Sequence, residues 1–486
     1  MSPAELLRRW GLVVVFALAS LVFWQAARSR DIDDSDTAPI VYEQQLATPV
    51  LSARRVPRSL QAPLAEDALA PTLDQLVART PPKSCLLVEV GGRLVNPSMN
   101  VDESVVPASN LKVFTTAAAL AELGPDFRFV TRVAADAAPV GGVVEGNLYL
   151  IGSGDPFLST DDWWLQYDNQ DGRYHTRLED LADQVAAAGV TSVTGAVVGD
   201  ESWFDGVRQG PWAERLVVGQ QSGPLSALSV NEGFAAWPAV YPGSPRQRSP
   251  TDNPPLHAAT VLAQLLAERG ISVGSTAAGV APPSAVDVTE ISSPPLSDVA
   301  LHINSYSSNF GAELVTKQLG RTVAGDGSTG AGSAVVLQVL AAEGVPTEGL
   351  VIVDGSGLSD TNRITCRAMG AILNDAGLDS PLGHSLSVGA ERGSLEDRFV
   401  DTAAADRVYA KTGTLNNASA LSGFVRSTTD PGVTPTFAYV ANFIADDAVG
   451  PVTQAEQLQQ ELVVALTTYP SGPPVEALSP EAAQPS

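Results

Sequence analysis

Lysine is scarce in this chain: only Lys83, Lys112, Lys317 and Lys411 occur among 29 basic residues, and arginine supplies the rest. Arginine keeps its proton in a protein, whereas a desolvated lysine can lose it and act as a base. Histidine is equally rare, with His175, His257, His302 and His384 the only bases open to a histidine-dependent triad. Cysteine occurs twice, as Cys85 and Cys366, and neither has a second cysteine or a histidine at metal-ligand spacing. No metal and no cofactor is therefore expected. Basic charge is also short, with 54 acidic residues and a net charge of −25. That balance excludes nucleic acid, which needs a basic surface, and suits solubility. No internal repeat is present.

One long apolar run, Trp10 to Trp24, follows Arg8 and Arg9 and extends weakly through Gln25-Ala26-Ala27. It is long enough for a signal-peptide core and marginal for a spanning helix of roughly 20 residues. Cleaved signal and uncleaved anchor both place the remainder outside the cytoplasm, secreted to the wall or periplasm or held at the membrane by the N-terminus. An exported chain with two cysteines fits one disulfide or two isolated buried thiols.

At 486 residues the chain exceeds one hydrophobic core, so two domains with appendages are expected. Residues 1–30 form the export segment. Residues 31–66 mix Arg, Asp, Pro and Ser without periodicity and read as a flexible linker; residues 469–486 read as a disordered tail. Five of the seven tryptophans fall between Trp163 and Trp237. This shift marks residues 131–290 as a module inserted between 67–130 and 291–468, two halves of one α/β domain. The tryptophans are read as packing the module's own core rather than stacking on sugars. In the outer halves, Leu86–Val90 reads as a strand and Ser109–Leu123 as a helix. Further strands are expected at Arg407–Ala410, about Leu421–Arg426 and about Thr436–Phe443, with a closing helix near Gln454–Leu466.

The chemistry gathers in three motifs. Ser109-Asn110-Leu111-Lys112 places a serine and a lysine one helical turn apart at a helix start, where the dipole favours negative charge on the serine oxygen. For Lys112 to take that proton, its pKa must fall from about 10.4 toward about 7–8 through burial or a neighbouring cation, for which Lys411 is the candidate. Lys411-Thr412-Gly413 ends a strand, and Gly413 lets a substrate backbone approach while Lys411 and Thr412 hold a carboxylate. A Ser-x-Asn element occurs three times, at Ser98, Ser229 and Ser307; spacing alone does not choose between the last two. Together these predict a serine acyl-transfer enzyme. Asp155, Asp354 and Glu313 read as structural groups, the aspartates as backbone caps.

The set resembles the active-site-serine penicillin-recognising enzymes, and more narrowly the D-alanyl-D-alanine carboxypeptidases of the penicillin-binding protein 4 type. Gly152-Ser153-Gly154-Asp155-Pro156, Leu228-Ser229-Val230-Asn231, Asp354-Gly355-Ser356-Gly357-Leu358-Ser359, Lys411-Thr412-Gly413-Thr414-Leu415 and Leu421-Ser422-Gly423 extend the resemblance over roughly residues 70–467. It implies a serine β-lactamase/transpeptidase-like α/β domain, an antiparallel sheet flanked by helices, interrupted by a large insertion. It assigns Ser229 to that insertion and makes Ser307 and Asn309 the second catalytic element. Ser109 is then the nucleophile acting on peptidoglycan stem peptides, Lys112 its base, Ser307 a proton relay and Asn309 a contact for the substrate amide. Lys411 tunes the site, Thr412 and Thr414 bind the terminal carboxylate beside Gly413, and the amides of Ser109 and Thr414 form an oxyanion hole. β-Lactams are the implied covalent inhibitors. Ser308 departs from the aspartate common in the family, and the insertion is short. Terminal trimming, cross-link cleavage or both stay open.

Three rivals compete. A Ser-His-Asp hydrolase would use Gly270-Ile271-Ser272-Val273-Gly274, which follows a helix where a nucleophile elbow needs a strand. A secreted β-lactamase shares the motifs but lacks this insertion and needs a Glu-x-x-Leu-Asn stretch that the chain does not contain. A catalytically silent wall-binding protein would have little reason to keep Ser109, Lys112 and Lys411.

Overall fold

Strict alternation of buried side chains makes the central sheet a two-faced layer. In β1 (Cys85–Val90), Cys85 and Leu87 enter one core, while Leu86 and Val88 enter another. Strands β5 (Ala418–Val425) and β6 (Thr436–Asn442) repeat the pattern. Ala420, Phe424, Ala438 and Val440 face the first core, and Leu421, Val425, Phe437 and Tyr439 face the second. Side chains of period two reach opposite faces, so a sheet covered on both sides needs apolar residues throughout.

The computed structural model describes residues 58–470 apart from 168–173, 237–247 and 444–448, together with the single position Ser20. The apolar run at 1–30, most of the linker stretch, Trp237 and the tail beyond 470 lie outside the described residues.

The sheet runs β3 (Ser387–Val388), β4 (Val408–Leu415), β5, β6, β1, β2 (Arg93–Leu94), with every neighbouring pair antiparallel. On one face lie α1 (Arg58–Arg79) and α6 (Val449–Thr467), with Leu69, Leu73 and Leu76 meeting Leu458 and Leu462. On the other lie α2 (Leu111–Leu123), α3 (Leu296–Ser305), α4 (Asn309–Leu319) and α5 (Cys366–Ala376). A Cys85–Cys366 disulfide ties β1 to α5, with Cα atoms 6.0 Å apart.

Two boundaries differ from the sequence reading. Residues 58–66, assigned there to the linker, are the first turns of α1. Pro63 and Pro71 lie inside that helix and disguise it, because proline removes a helical hydrogen bond. Tyr469, assigned to the tail, is buried in the core under α1 and α6.

The insertion carries its own sheet, ordered Ser272–Ala278, Ser192–Asp200, Leu148–Ile151, Val130–Ala135, Val286–Ser292. Its first and last strands in the chain pair antiparallel, Val130 opposite Ser292, so the chain leaves and re-enters the outer part of the fold at adjacent points. Helices Leu178–Ala187 and Pro254–Glu268 pack on it through Leu181, Val185, Leu262 and Leu266. Trp163 and Trp164 are buried in the module, as expected. Trp203 and Trp212 are not core residues of it: they donate to Gln318 (2.9 Å) and Asp354 (3.2 Å), which lie outside the insertion.

Candidate active site

The site forms where the start of α2 meets strand β4 beyond its short pairing with β3. Residues Ala108–Asn110 make a single 3₁₀ turn that runs directly into α2, so Ser109 sits at the helix entrance and Lys112 one turn on. Ala108 adopts φ +49°, a left-handed conformation costly for a residue with a Cβ, and backbone strain of this kind clusters at working sites. Gly413 of β4 faces this turn. A Cβ there would lie 2.9 Å from the Pro107 carbonyl and 3.0 Å from the Ser109 nitrogen, so only glycine lets strand and turn approach this closely.

Lys112 is fully buried, and its Nζ reaches Ser109 Oγ at 2.9 Å, Asn309 Oδ1 at 2.7 Å and the Ser356 carbonyl at 2.6 Å. The last two atoms carry no hydrogen and can only accept. A neutral amine has two N–H bonds and one lone pair. With both N–H bonds directed at these acceptors, the lone pair is left for the Ser109 hydroxyl. Burial brings Lys112 down to about 7, against the opposing pull of Asp354 and Glu313. Of the two causes the sequence offered, burial is thus the operative one and the neighbouring cation is not. Lys411, also fully buried, bears that repulsion: desolvation and then Lys112 hold it well below the ordinary lysine range. Its Nζ donates to Ser307 Oγ at 3.0 Å and to the Thr412 carbonyl at 2.9 Å.

Five predicted residues therefore converge: Ser109, Lys112 and Asn309 around one amine, Ser307 and Lys411 around the other. Ser307 itself adopts φ +59°, which turns it out of α3 toward Lys411 just before α4 begins. Ser98 and Ser229 are not part of the constellation. Thr412, Gly413 and Thr414 line a cavity of about 800 Å³ together with Ser109, Ser307 and Asn309. β3 pairs with β4 only at Tyr409 and Ala410, so the edge from Lys411 to Leu415 has no strand partner among the described residues. An extended peptide can add along such an edge.

Other participants carried no recognisable signal in the sequence. Ser394 Oγ accepts from Thr412 Oγ1 at 2.7 Å and fixes that hydroxyl. The Gln221 carbonyl, from the insertion, accepts from Asn309 Nδ2 at 2.7 Å and sets which amide atom faces Lys112. Arg215, Leu216 and Gly219 of the same segment also line the cavity. Asp354 and Glu313 are buried, as structural groups would be. Asp354 accepts from the amides of Gly357 (2.8 Å) and Ser359 (2.7 Å), and Glu313 from those of Gly355 (3.1 Å) and Ser356 (2.9 Å). Asp155 does not line this cavity; burial pushes it up to about 6, and it caps the Phe157 amide at 2.9 Å.

No group of histidine, cysteine and carboxylate side chains that could hold a metal occurs among the described residues. The constellation can deprotonate a serine, anchor an anionic group beside it and pass a proton through a second hydroxyl.

Comparison with known proteins places this arrangement in a family. The D-Ala-D-Ala carboxypeptidase 3 (S13) family matches residues 94–250 and 246–462. A D-alanyl-D-alanine carboxypeptidase of Actinomadura sp. (strain R39) is 31% identical over 398 residues, covering 66% of this chain and 71% of the relative. Carboxypeptidase DacB of Mycolicibacterium smegmatis is 31% identical over 429 residues, covering 80% and 86%. Among solved structures, penicillin binding protein 4 (dacB) of Haemophilus influenzae superposes with a TM-score of 0.66 at 19% identity, over 82% of this chain and 99% of that one.

Proposed function

The chain belongs to the D-Ala-D-Ala carboxypeptidase 3 (S13) family, and from that premise we propose that it is a serine-type carboxypeptidase acting on peptidoglycan stem peptides through an acyl-enzyme on Ser109. The observation that carries the serine mechanism is the 2.9 Å contact between Lys112 Nζ and Ser109 Oγ, made by a lysine whose burial lowers it to about 7.

The substrate lies along the open edge of β4, its terminal carboxylate on Thr412 and Thr414. Ser109 Oγ forms a bond to the carbonyl carbon of the penultimate D-alanine as its proton passes to Lys112. The oxyanion is met by the amides of Ser109 and Thr414; each such donor contributes about 2.7–4 kcal/mol. The C–N bond then breaks as the leaving amine takes the proton that Lys112 had accepted, relayed through the Ser307 hydroxyl that Lys411 orients, which leaves Lys112 neutral again. Water, deprotonated in turn by Lys112, hydrolyses the ester and restores Ser109. β-Lactams would enter by the same acylation. The assembled base and relay argue against a silent binding protein, which needs neither.

Work on the cell wall requires an extracytoplasmic location. The basic-flanked apolar segment at residues 1–30 supports export, and anchoring through it would keep the enzyme at the membrane. No helix among the described residues is long and apolar enough to cross a membrane. The domain plan follows the sheets: a catalytic domain from 58–130 and 291–469, and an inserted module from 131–290.

The test is release of free D-alanine from a tripeptide ending in D-Ala-D-Ala by the full chain. Wild type should release it and Ser109→Ala should not. Equal release by both would eliminate Ser109 as nucleophile.

A further inference from the structure

A buried carboxyl group stands directly behind the base. Glu313 lies one turn after Asn309 on α4, so both side chains leave the same helix face. Its Oε1 accepts the amides of Gly355 and Ser356, and the carbonyl of that same Ser356 accepts Lys112 Nζ at 2.6 Å. Its Oε2 is buried without a hydrogen-bond partner, a setting that tolerates a neutral carboxyl far better than a carboxylate. Burial and the nearby Asp354 push Glu313 up to about 8. Asp354 pins the same turn from within, and Trp212 of the insertion donates to it at 3.2 Å.

Lys112 aims its lone pair at Ser109 only while both of its N–H bonds are held by Asn309 Oδ1 and the Ser356 carbonyl. The helix of Glu313 carries the first acceptor, and its carboxyl fixes the second. We infer that Glu313, braced by Asp354, is a positioning residue that orients the Lys112 lone pair and whose charge acts on the ionisation of that base. This rests on Lys112 being the base of the proposed reaction.

A titration consequence follows. Asp354 from the turn is the charged group acting on Glu313; Asp354 and Glu313 act in turn on Lys112 of α2, Lys112 acts on Lys411 of β4, and Lys317 on α4 is engaged by Asp205. With one proton between them, Glu313 and Lys112 populate a neutral pair and an ammonium–carboxylate pair, and only the neutral pair has a free lone pair on Lys112. Coupled groups lose protons in macroscopic steps that belong to the pair. The rise of acylation with pH should therefore spread over two ionisations.

The experiment compares full-length wild type with Glu313→Gln. Glutamine keeps an acceptor for both amides and cannot ionise. The second-order rate constant for acylation by benzylpenicillin is measured from about pH 5 to about pH 10. Glu313→Gln should acylate at Ser109, with its rise narrowed to one ionisation and moved about half a pH unit or more downward. Superimposable limbs, differing only in height, would leave Glu313 a structural residue and overturn the proposal.

A second readout needs no substrate. Glu313 is raised from 4.5 to about 8 in the fold, so it costs stability as pH rises from about 4.5 through about 8. The chemical-denaturation midpoint of Glu313→Gln relative to wild type should climb across that window; a constant offset would contradict the proposal. Failure of wild type itself to acylate would instead remove the functional reading on which the proposal rests, while the stability comparison still judges the titration of Glu313.

Discussion

In the proposed reaction Lys112 is the residue on which the chemistry turns, because its proton inventory sets the pH at which Ser109 can be activated. The neutral form is the base, and burial holds its pKa at about 7, so acylation should fall as pH drops through about 7 and rise above it. A stopped-flow pH series with benzylpenicillin measures this directly. Lys112→Ala should slow acylation by about 10²–10⁴-fold, the usual contribution of a positioned general base. Lys112→Arg should be no better, since a guanidinium keeps its proton. These residues were legible in the sequence because one turn of helix binds Ser109 to Lys112, and because lysine is otherwise nearly absent. Ser394, the Ser356 carbonyl and the Gln221 carbonyl were not legible. Each acts across a tertiary contact with no local spacing to betray it, and two of them act through backbone atoms that any residue would supply.

At the level of elements, the site depends on β4 lying tight against the turn before α2. Gly413→Val should leave the protein folded, because β4 keeps its eight-residue pairing with β5, yet displace Ser109. A displacement near 1 Å costs on the order of 10²-fold, so labelling by fluorescent penicillin should drop by about that factor. The main strands and helices of the outer halves could be read from their patterns: Leu86–Val90 as a short apolar strand, Ser109–Leu123 as a helix. The order of the sheet could not. β1 pairs with β6 some 350 positions later, Cys85 opposite Val440, and nothing near either strand names its partner. The start of α1 escaped for a different reason, since Pro63 breaks the local pattern while packing of Ala65 and Leu69 sustains the helix.

Across the whole molecule, the insertion is tied to the catalytic machinery rather than hung beside it. Asp205 pairs with buried Lys317, Phe204 packs with Phe310 and Leu314, and Gln221 holds Asn309. The cluster of tryptophans announced a module, but composition could not show that Trp203 and Trp212 serve its junction. The Cys85–Cys366 disulfide joins residues 281 positions apart and clamps sheet to helix. The double substitution of both cysteines by alanine should lower stability by about 2–4 kcal/mol in urea denaturation while leaving the Lys112–Ser109 geometry and hence acylation intact. Unchanged stability would show that the bridge is not formed in solution.

The account stands most directly on the identity of the acylated atom. The full chain should be treated with benzylpenicillin, digested and mapped by mass spectrometry, alongside Ser109→Ala. One adduct per chain on the peptide containing Ser109, absent from the variant, is the expected result. A folded protein that takes up no adduct, or carries it on another residue, would contradict the account.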